Sequence, residues 1–211
     1  MNKFEKIGYY FITYSSISKN GIFSDVKNAL NAGCKFIQYR EKNKNTKTMI
    51  QEAKKIKNLC TNKATFIIND RVDVALAVNA DGVHLGQDDM TIFDVKKIFR
   101  KDKIIGLTVH NVNEAVLAEE LGADYVALAP IFKTFTKKKS ITPCGVEMIK
   151  NIRKKINIPI IAVGGIKIQN INEVIKNGAD GIVAVSSVIN SDDVFESVKK
   201  FIEKIEEECS L

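Results

Sequence analysis

The sequence predicts an α/β fold, a single-domain (β/α)8 TIM barrel that takes in the whole of residues 1–211. Three observations predict it. Eight short apolar runs alternate with helical patterns, one segment type recurs along the chain, and the runs are apolar on both faces. Runs of that last kind mark strands of a parallel sheet covered on each side. An open doubly wound sheet is the alternative, but the alternation reaches eight and no GxGxxG follows the first run.

The first run is YYFITYS at 9–15. The recurring segment then appears four times, as NAGCKFIQY (31–39), NADGVHLG (79–86), LGADYVALAP (121–130) and NGADGIVAVS (177–186). Each reads as a helix end, a small turn and a short strand, with Lys35, Asp81, Asp124 or Asp180 just before the strand. Between them lie ATFIIND (64–70), KIIGLTV (103–109) and IPIIAVGG (158–165), which complete the eight. Stretches such as NTKTMIQEAKKIKNLC and NVNEAVLAEELG supply the helical periodicity between strands. A βα unit of about 26 residues suits a small barrel.

Composition sets the class of protein. Hydrophobic residues make up 45% and charged residues 27%, as in a soluble globular protein with one large core. No run approaches a membrane span and the start lacks a signal-peptide pattern, so a cytoplasmic location is expected. Cys34, Cys60, Cys144 and Cys209 show no CxxC pairing, which points to reduced thiols and away from zinc. The net charge of +7 suits an anionic partner. Its lysines are interleaved with acids and no aromatic-studded basic stripe is present, so a phosphorylated small molecule is expected rather than nucleic acid or a membrane. A homo-oligomer is compatible with the sequence.

In such barrels the active site lies at the C-terminal ends of the strands. There the sequence places QYREK (38–42), ND (69–70), GQDD (86–89), TVHN (108–111), GGI (164–166), VSS (185–187) and the stretch PIFKTFTKKKSITPCG (130–145). Asp70 and one of Asp88/Asp89 close adjacent strands. They suit either a hard cation such as Mg²⁺ or the capping of the next helix. Arg40, Lys42 and Lys137 could hold phosphate oxygens aimed at the same mouth. GGI and VSS suit a second anion site or a tight turn. His84 reads as a satisfied core histidine, and His110 as a helix-start residue or a base.

Together QYREK, ND, GVHLGQDD, APIFKTFTK, GGI and VS, in this order from about residue 9 to 200, resemble the thiamine phosphate synthase family. The resemblance implies a barrel enzyme, a Mg-dependent transferase of a pyrimidinylmethyl group in thiamine biosynthesis. It would join hydroxymethylpyrimidine diphosphate to a (carboxy)thiazole phosphate, giving thiamine phosphate, diphosphate and CO2. By matching position, Gln38, Tyr39, Arg40, Glu41, Lys42, Asn69, Thr108 and Lys137 would contact the pyrimidine diphosphate. Arg40, Thr108 and Lys137 would bear on catalysis, and Asp70 and Asp89 would hold Mg²⁺. Thr134, Phe135, Thr136, Gly165, Val185 and Ser186 would bind the thiazole phosphate.

The family commonly reads GPIxPTxTK where this chain has APIFKTFTK, with Ala129 and Lys133 as departures, and Thr108 stands where Ser is usual. Within the lysine-rich stretch the resemblance singles out Lys137 and leaves Lys133, Lys138 and Lys139 as exposed charges. A thiazole tautomerase would need no diphosphate site, and a phosphate-sugar isomerase would need an acid/base pair that is not evident. A binding protein without catalysis is the reading from a different class.

Overall fold

The computed structural model describes residues 7–134 and 142–209 and shows a closed barrel of eight parallel strands in chain order. The strands are β1 (Gly8–Ile12), β2 (Phe36–Tyr39), β3 (Thr65–Asn69), β4 (Gly82–Leu85), β5 (Ile104–Val109), β6 (Tyr125–Leu128), β7 (Ile160–Val163) and β8 (Gly181–Val183). Closure is made by β8 against β1, where Gly8 pairs with Gly181 and Tyr9 with Ile182. Every apolar run named from the sequence contributes one strand.

The outer ring comprises α1 (Ile22–Asn31), α2 (Thr46–Cys60), α3 (Val72–Ala77), α4 (Ile92–Ile98), α5 (Val112–Glu120), α6 (Glu147–Arg153), α7 (Ile171–Lys176), α8 (Ser186–Ile189) and α9 (Val194–Cys209), with a 3₁₀ turn at Ile168–Asn170. Three of these helices start where a side chain accepts an otherwise unpaired N–H. Asn45, Thr91 and Asn111 do so for α2, α4 and α5 by accepting from Thr48, Asp94 and Glu114. No helix among the described residues is long and apolar enough to cross a membrane.

The strand alternation divides the core in two. Outward residues such as Phe11, Ile37, Phe66, Val83, Leu128 and Ala162 pack under the helices. Inward ones, including Tyr10, Phe36, Ile67, Ile104, Tyr125 and Ile161, fill the barrel itself as a packed plug. Above that plug the inward positions turn polar: Gln38, Asn69, His84 and Thr108 follow Phe36, Ile67, Gly82 and Gly106 by two residues. The site begins there.

The lower rim is tied differently. The Asp81, Asp124 and Asp180 carboxylates accept the N–H of Phe66, Ile105 and Ile160, each at 2.8 Å. Their own N–H groups donate back to the carbonyls of the same three residues. The recurring Asp is therefore a clip that ties β4, β6 and β8 each to the strand before it.

Candidate active site

A cleft opens at the C-terminal ends of the strands and holds about 1100 Å³, the open mouth included. Gln38, Arg40, Asn69 and Thr108 line one side of it. Thr134, Gly165, Val185 and Ser186 line the other. The structure thus gathers eight of the site residues named from the sequence around one space. Phe135, Thr136 and Lys137, with Lys138 and Lys139, lie outside the described residues.

On the β2 side, Arg40 is fixed through its backbone. Its N–H donates to the Thr13 hydroxyl at 2.9 Å, and its guanidinium lies over the Tyr14 ring at 5.2 Å. Tyr39 points the other way, into the layer between barrel and helices, where its hydroxyl donates to Glu52 of α2 at 2.7 Å. Its alternation with Gln38 and Arg40 dictates this, so the expectation of a Tyr39 contact with ligand is corrected.

Glu41 is buried and serves the loop instead of the mouth. It accepts from the Ser15 hydroxyl at 2.7 Å and from the N–H groups of Lys42 and Asn43 at 2.8 and 2.9 Å. Burial pushes its carboxyl up, but these bonds and the charge of Lys44 outweigh it and hold the carboxyl below its usual range. Glu41 therefore shapes the turn that presents Lys42.

Beside Asn69, Asp70 adopts the left-handed region at φ 58°, a conformation that costs a non-glycine residue energy and is kept where the site requires it. Its N–H donates to the His84 carbonyl at 2.7 Å, which anchors the turn on β4. The carboxylate pairs with the Lys42 ammonium and faces Asp89. Burial, reinforced by the Asp89 carboxylate and opposed by Lys42, raises the Asp70 carboxyl above the usual range. Asp89 in turn accepts from the Gly86 N–H at 2.7 Å.

Neither Asp88 nor Asp89 caps a helix, because Thr91 does that for α4. Asp70 and Asp89 form an oxygen-only pair with one lysine on it. Two acids held this close are poorly neutralised by one ammonium, a donor set that fits a hard divalent cation. Among the described residues no group of three His, Cys, Asp or Glu side chains could hold a metal ion. Mg²⁺ that keeps waters and substrate oxygens needs only one or two protein carboxylates.

Opposite, Gly164 and Gly165 have φ of 105° and 66°. They also leave room: a Cβ on Gly164 would lie 2.8 Å from the Pro130 Cβ, and one on Gly165 2.7 Å from the Phe132 Cβ. The segment after β6 continues the sheet here, with Ile131 and Phe132 donating to the carbonyls of Val163 and Gly164. The glycines hold the base of the lysine-rich loop against β7. Ser187, next to Ser186, ties the two loops by donating to the Ile166 carbonyl at 2.8 Å.

Sequence reasoning missed Tyr10, Thr13, Tyr14 and Tyr125. Tyr10 and Tyr125 are buried phenols, whose hydroxyls require partners, but a run apolar on both faces gives no sign that they point inward. His84 lies in the interior with both ring nitrogens hydrogen-bonded, so the satisfied-core reading holds, and it also lines the cleft. His110 sits at the start of α5, with Nδ1 3.0 Å from Glu114. Cys34, Cys60 and Cys144 are free thiols.

The thiamine monophosphate synthase family profile matches residues 9–188. A thiamine-phosphate synthase of Methanosarcina mazei is 53% identical over 201 residues, covering 95% of this chain and 84% of the relative. One from Clostridium perfringens is 42% identical, covering 92% and 93%. The structure of a thiamine phosphate pyrophosphorylase from Pyrococcus furiosus superposes with a TM-score of 0.88 at 37% identity, over 96% of each chain. On this coverage and identity, the chain belongs to the thiamine monophosphate synthase family.

Proposed function

We propose that thiamine phosphate synthesis takes place in the cleft through division of labour between its two sides. Hydroxymethylpyrimidine diphosphate lies on the β2–β5 side and the (carboxy)thiazole phosphate against the loops after β6, β7 and β8. The C–O bond from methylene to diphosphate breaks, the thiazole nitrogen supplies the electron pair for the new C–N bond, and diphosphate leaves. A carboxylated thiazole then loses CO2. No nucleophilic side chain is required, because the nucleophile is the second substrate.

The protein's task is to hold the leaving anion and align the two rings. Arg40, clamped by Thr13 and Tyr14, offers a forked donor to diphosphate oxygens. Asn69, Gln38 and Thr108 offer neutral hydrogen-bonding groups from the barrel interior. Lys42 neutralises Asp70 until substrate charge arrives. Asp70 and Asp89 would hold Mg²⁺, which when bound neutralises part of the diphosphate charge. From the sequence, Lys137 adds a further cation from the loop after β6.

The observation that carries this reading is the pairing of Asp70 and Asp89 under one lysine, with Asp70 next to the cleft-lining Asn69, in a chain of this family. Incubating the protein with both heterocycles and Mg²⁺ should give thiamine phosphate and diphosphate in equal amounts. EDTA should stop it. Product formed equally well in EDTA would remove the metal from the reading, and no product under any divalent ion would remove the synthesis.

A further inference from the structure

Five side chains from five strands join end to end across the barrel interior. The Gln38 Nε2 donates to the Tyr10 hydroxyl at 2.9 Å, and that hydroxyl meets the Tyr125 hydroxyl at 3.0 Å. The Tyr125 hydroxyl lies 2.9 Å from His84 Nδ1, and His84 Nε2 lies 2.9 Å from the Thr108 hydroxyl.

With the Gln38 amide nitrogen toward Tyr10, the links admit an ordering of protons that runs from the Gln38 end. An amide nitrogen can only donate, so Tyr10 accepts there. Tyr10 is 1% exposed, and its remaining partner is Tyr125, so its own proton goes to the Tyr125 oxygen. The Tyr125 proton then goes to His84 Nδ1. In that ordering the ring carries its proton on Nε2 and donates it to Thr108 Oγ1. Thr108, having accepted, keeps its own proton to give, and it lines the cleft.

The chain has room to form because of one glycine. Gly106 stands between His84 and Tyr125 in strand register. A Cβ there would lie 2.1 Å from the Tyr125 ring. Without it the His84 and Tyr125 rings stack across β5, with centroids 5.5 Å apart and planes at 18°.

We infer that Gln38, Tyr10, Tyr125 and His84 form one polarised hydrogen-bond chain that fixes the His84 Nε2–H tautomer and makes Thr108 a donor toward ligand oxygen. His84, Tyr125 and Tyr10 are positioning residues, acting through Thr108. That Thr108 meets a diphosphate oxygen rests on the function proposed above; the polarity of the chain does not.

The two claims are tested separately. Nitrogen-15 NMR of the unliganded protein distinguishes a protonated from a bare ring nitrogen. The chain has only two histidines, so His110→Ala assigns the signals. His84 should show Nε2 protonated and Nδ1 bare. Gln38→Glu, read at a pH where its carboxyl is ionised, puts an acceptor-only group at the head of the chain and should switch His84 to the Nδ1–H form. An Nδ1–H ring in the native protein, or no response to Gln38→Glu, overturns the inference.

For catalysis, Tyr125→Phe should lower kcat about tenfold with little change in KM. Added to Thr108→Val it should cost almost nothing further, because the chain works only through that hydroxyl. Additive losses would show a merely structural role. If Tyr125→Phe does not fold, Tyr10→Phe is read in the same cycle. The expected NMR result with no thiamine phosphate in any assay would leave the chain standing and sink the functional reading alone.

Discussion

Asp70 shows what the site demands of a single residue. It takes a left-handed backbone that glycine would take at lower cost, and it sets a partly buried carboxylate against a second one. Both features are unfavourable in the free protein, and a cation between the acids would relieve the second. Asp70→Asn and Asp89→Asn should each lower turnover about a hundredfold or more, with unchanged far-UV circular dichroism. Full activity with unchanged Mg²⁺ dependence in both would refute the assignment. The lysines separate in the same way. Lys137→Ala should lose about a hundredfold, since a contact to an anion gaining charge is worth roughly 2–4 kcal/mol. Lys138→Ala and Lys139→Ala should lose only a few-fold, and that loss should shrink as salt screens the field. Initial rates of the three variants at low and high ionic strength decide the point, and equal salt-sensitive losses would make the stretch a diffuse basic patch.

At the scale of elements, β4, β6 and β8 each carry two instructions, one at each end. The lower instruction is the Asp clip, repeated at Asp81, Asp124 and Asp180. Asp124→Ala would leave the buried Ile105 N–H without its acceptor, which should cost about 1–3 kcal/mol by urea unfolding. Because the clip is at the end of the strand remote from the cleft, kcat should stay within about twofold. A kcat loss as large as that of a cleft variant would show that the rims are coupled. All eight strands were legible, because buried parallel strands are short apolar runs and their turns recur. Which face of each strand looks inward was not legible, since a run apolar on both sides has no period to read. Tyr39 came into the site by matching position within QYREK, and nothing marked Tyr10 in the same way. The two differ only in register, which closure of the barrel sets. The acids and Arg40 were found because they stand at strand ends, where charge interrupts an apolar pattern.

Across the whole molecule the two rims divide stability from function. The plug of Tyr10, Phe36, Ile67, Tyr125 and Ile161 seals the barrel below the polar layer, so ligand charge meets fixed dipoles with little water beneath it. The upper rim is correspondingly short of cations between Asp70 and Asp89, and binding there should be read by the fold as a whole. A ligand that binds only the folded state at a hundred times its Kd adds about 2.7 kcal/mol. For a chain of this size each kcal/mol raises Tm by about 2–4 °C, so saturating Mg²⁺ with inorganic diphosphate should raise Tm by about 5–10 °C. Diphosphate in EDTA should give little shift, because the two acids then repel it. Asp89→Asn should abolish most of the Mg²⁺-dependent shift while leaving the ligand-free Tm nearly unchanged, since an amide oxygen can still accept from the Gly86 N–H. Differential scanning calorimetry of both proteins, with and without the metal, makes the comparison. An equal shift in EDTA, or an undiminished one in Asp89→Asn, would place the anion away from this acid pair.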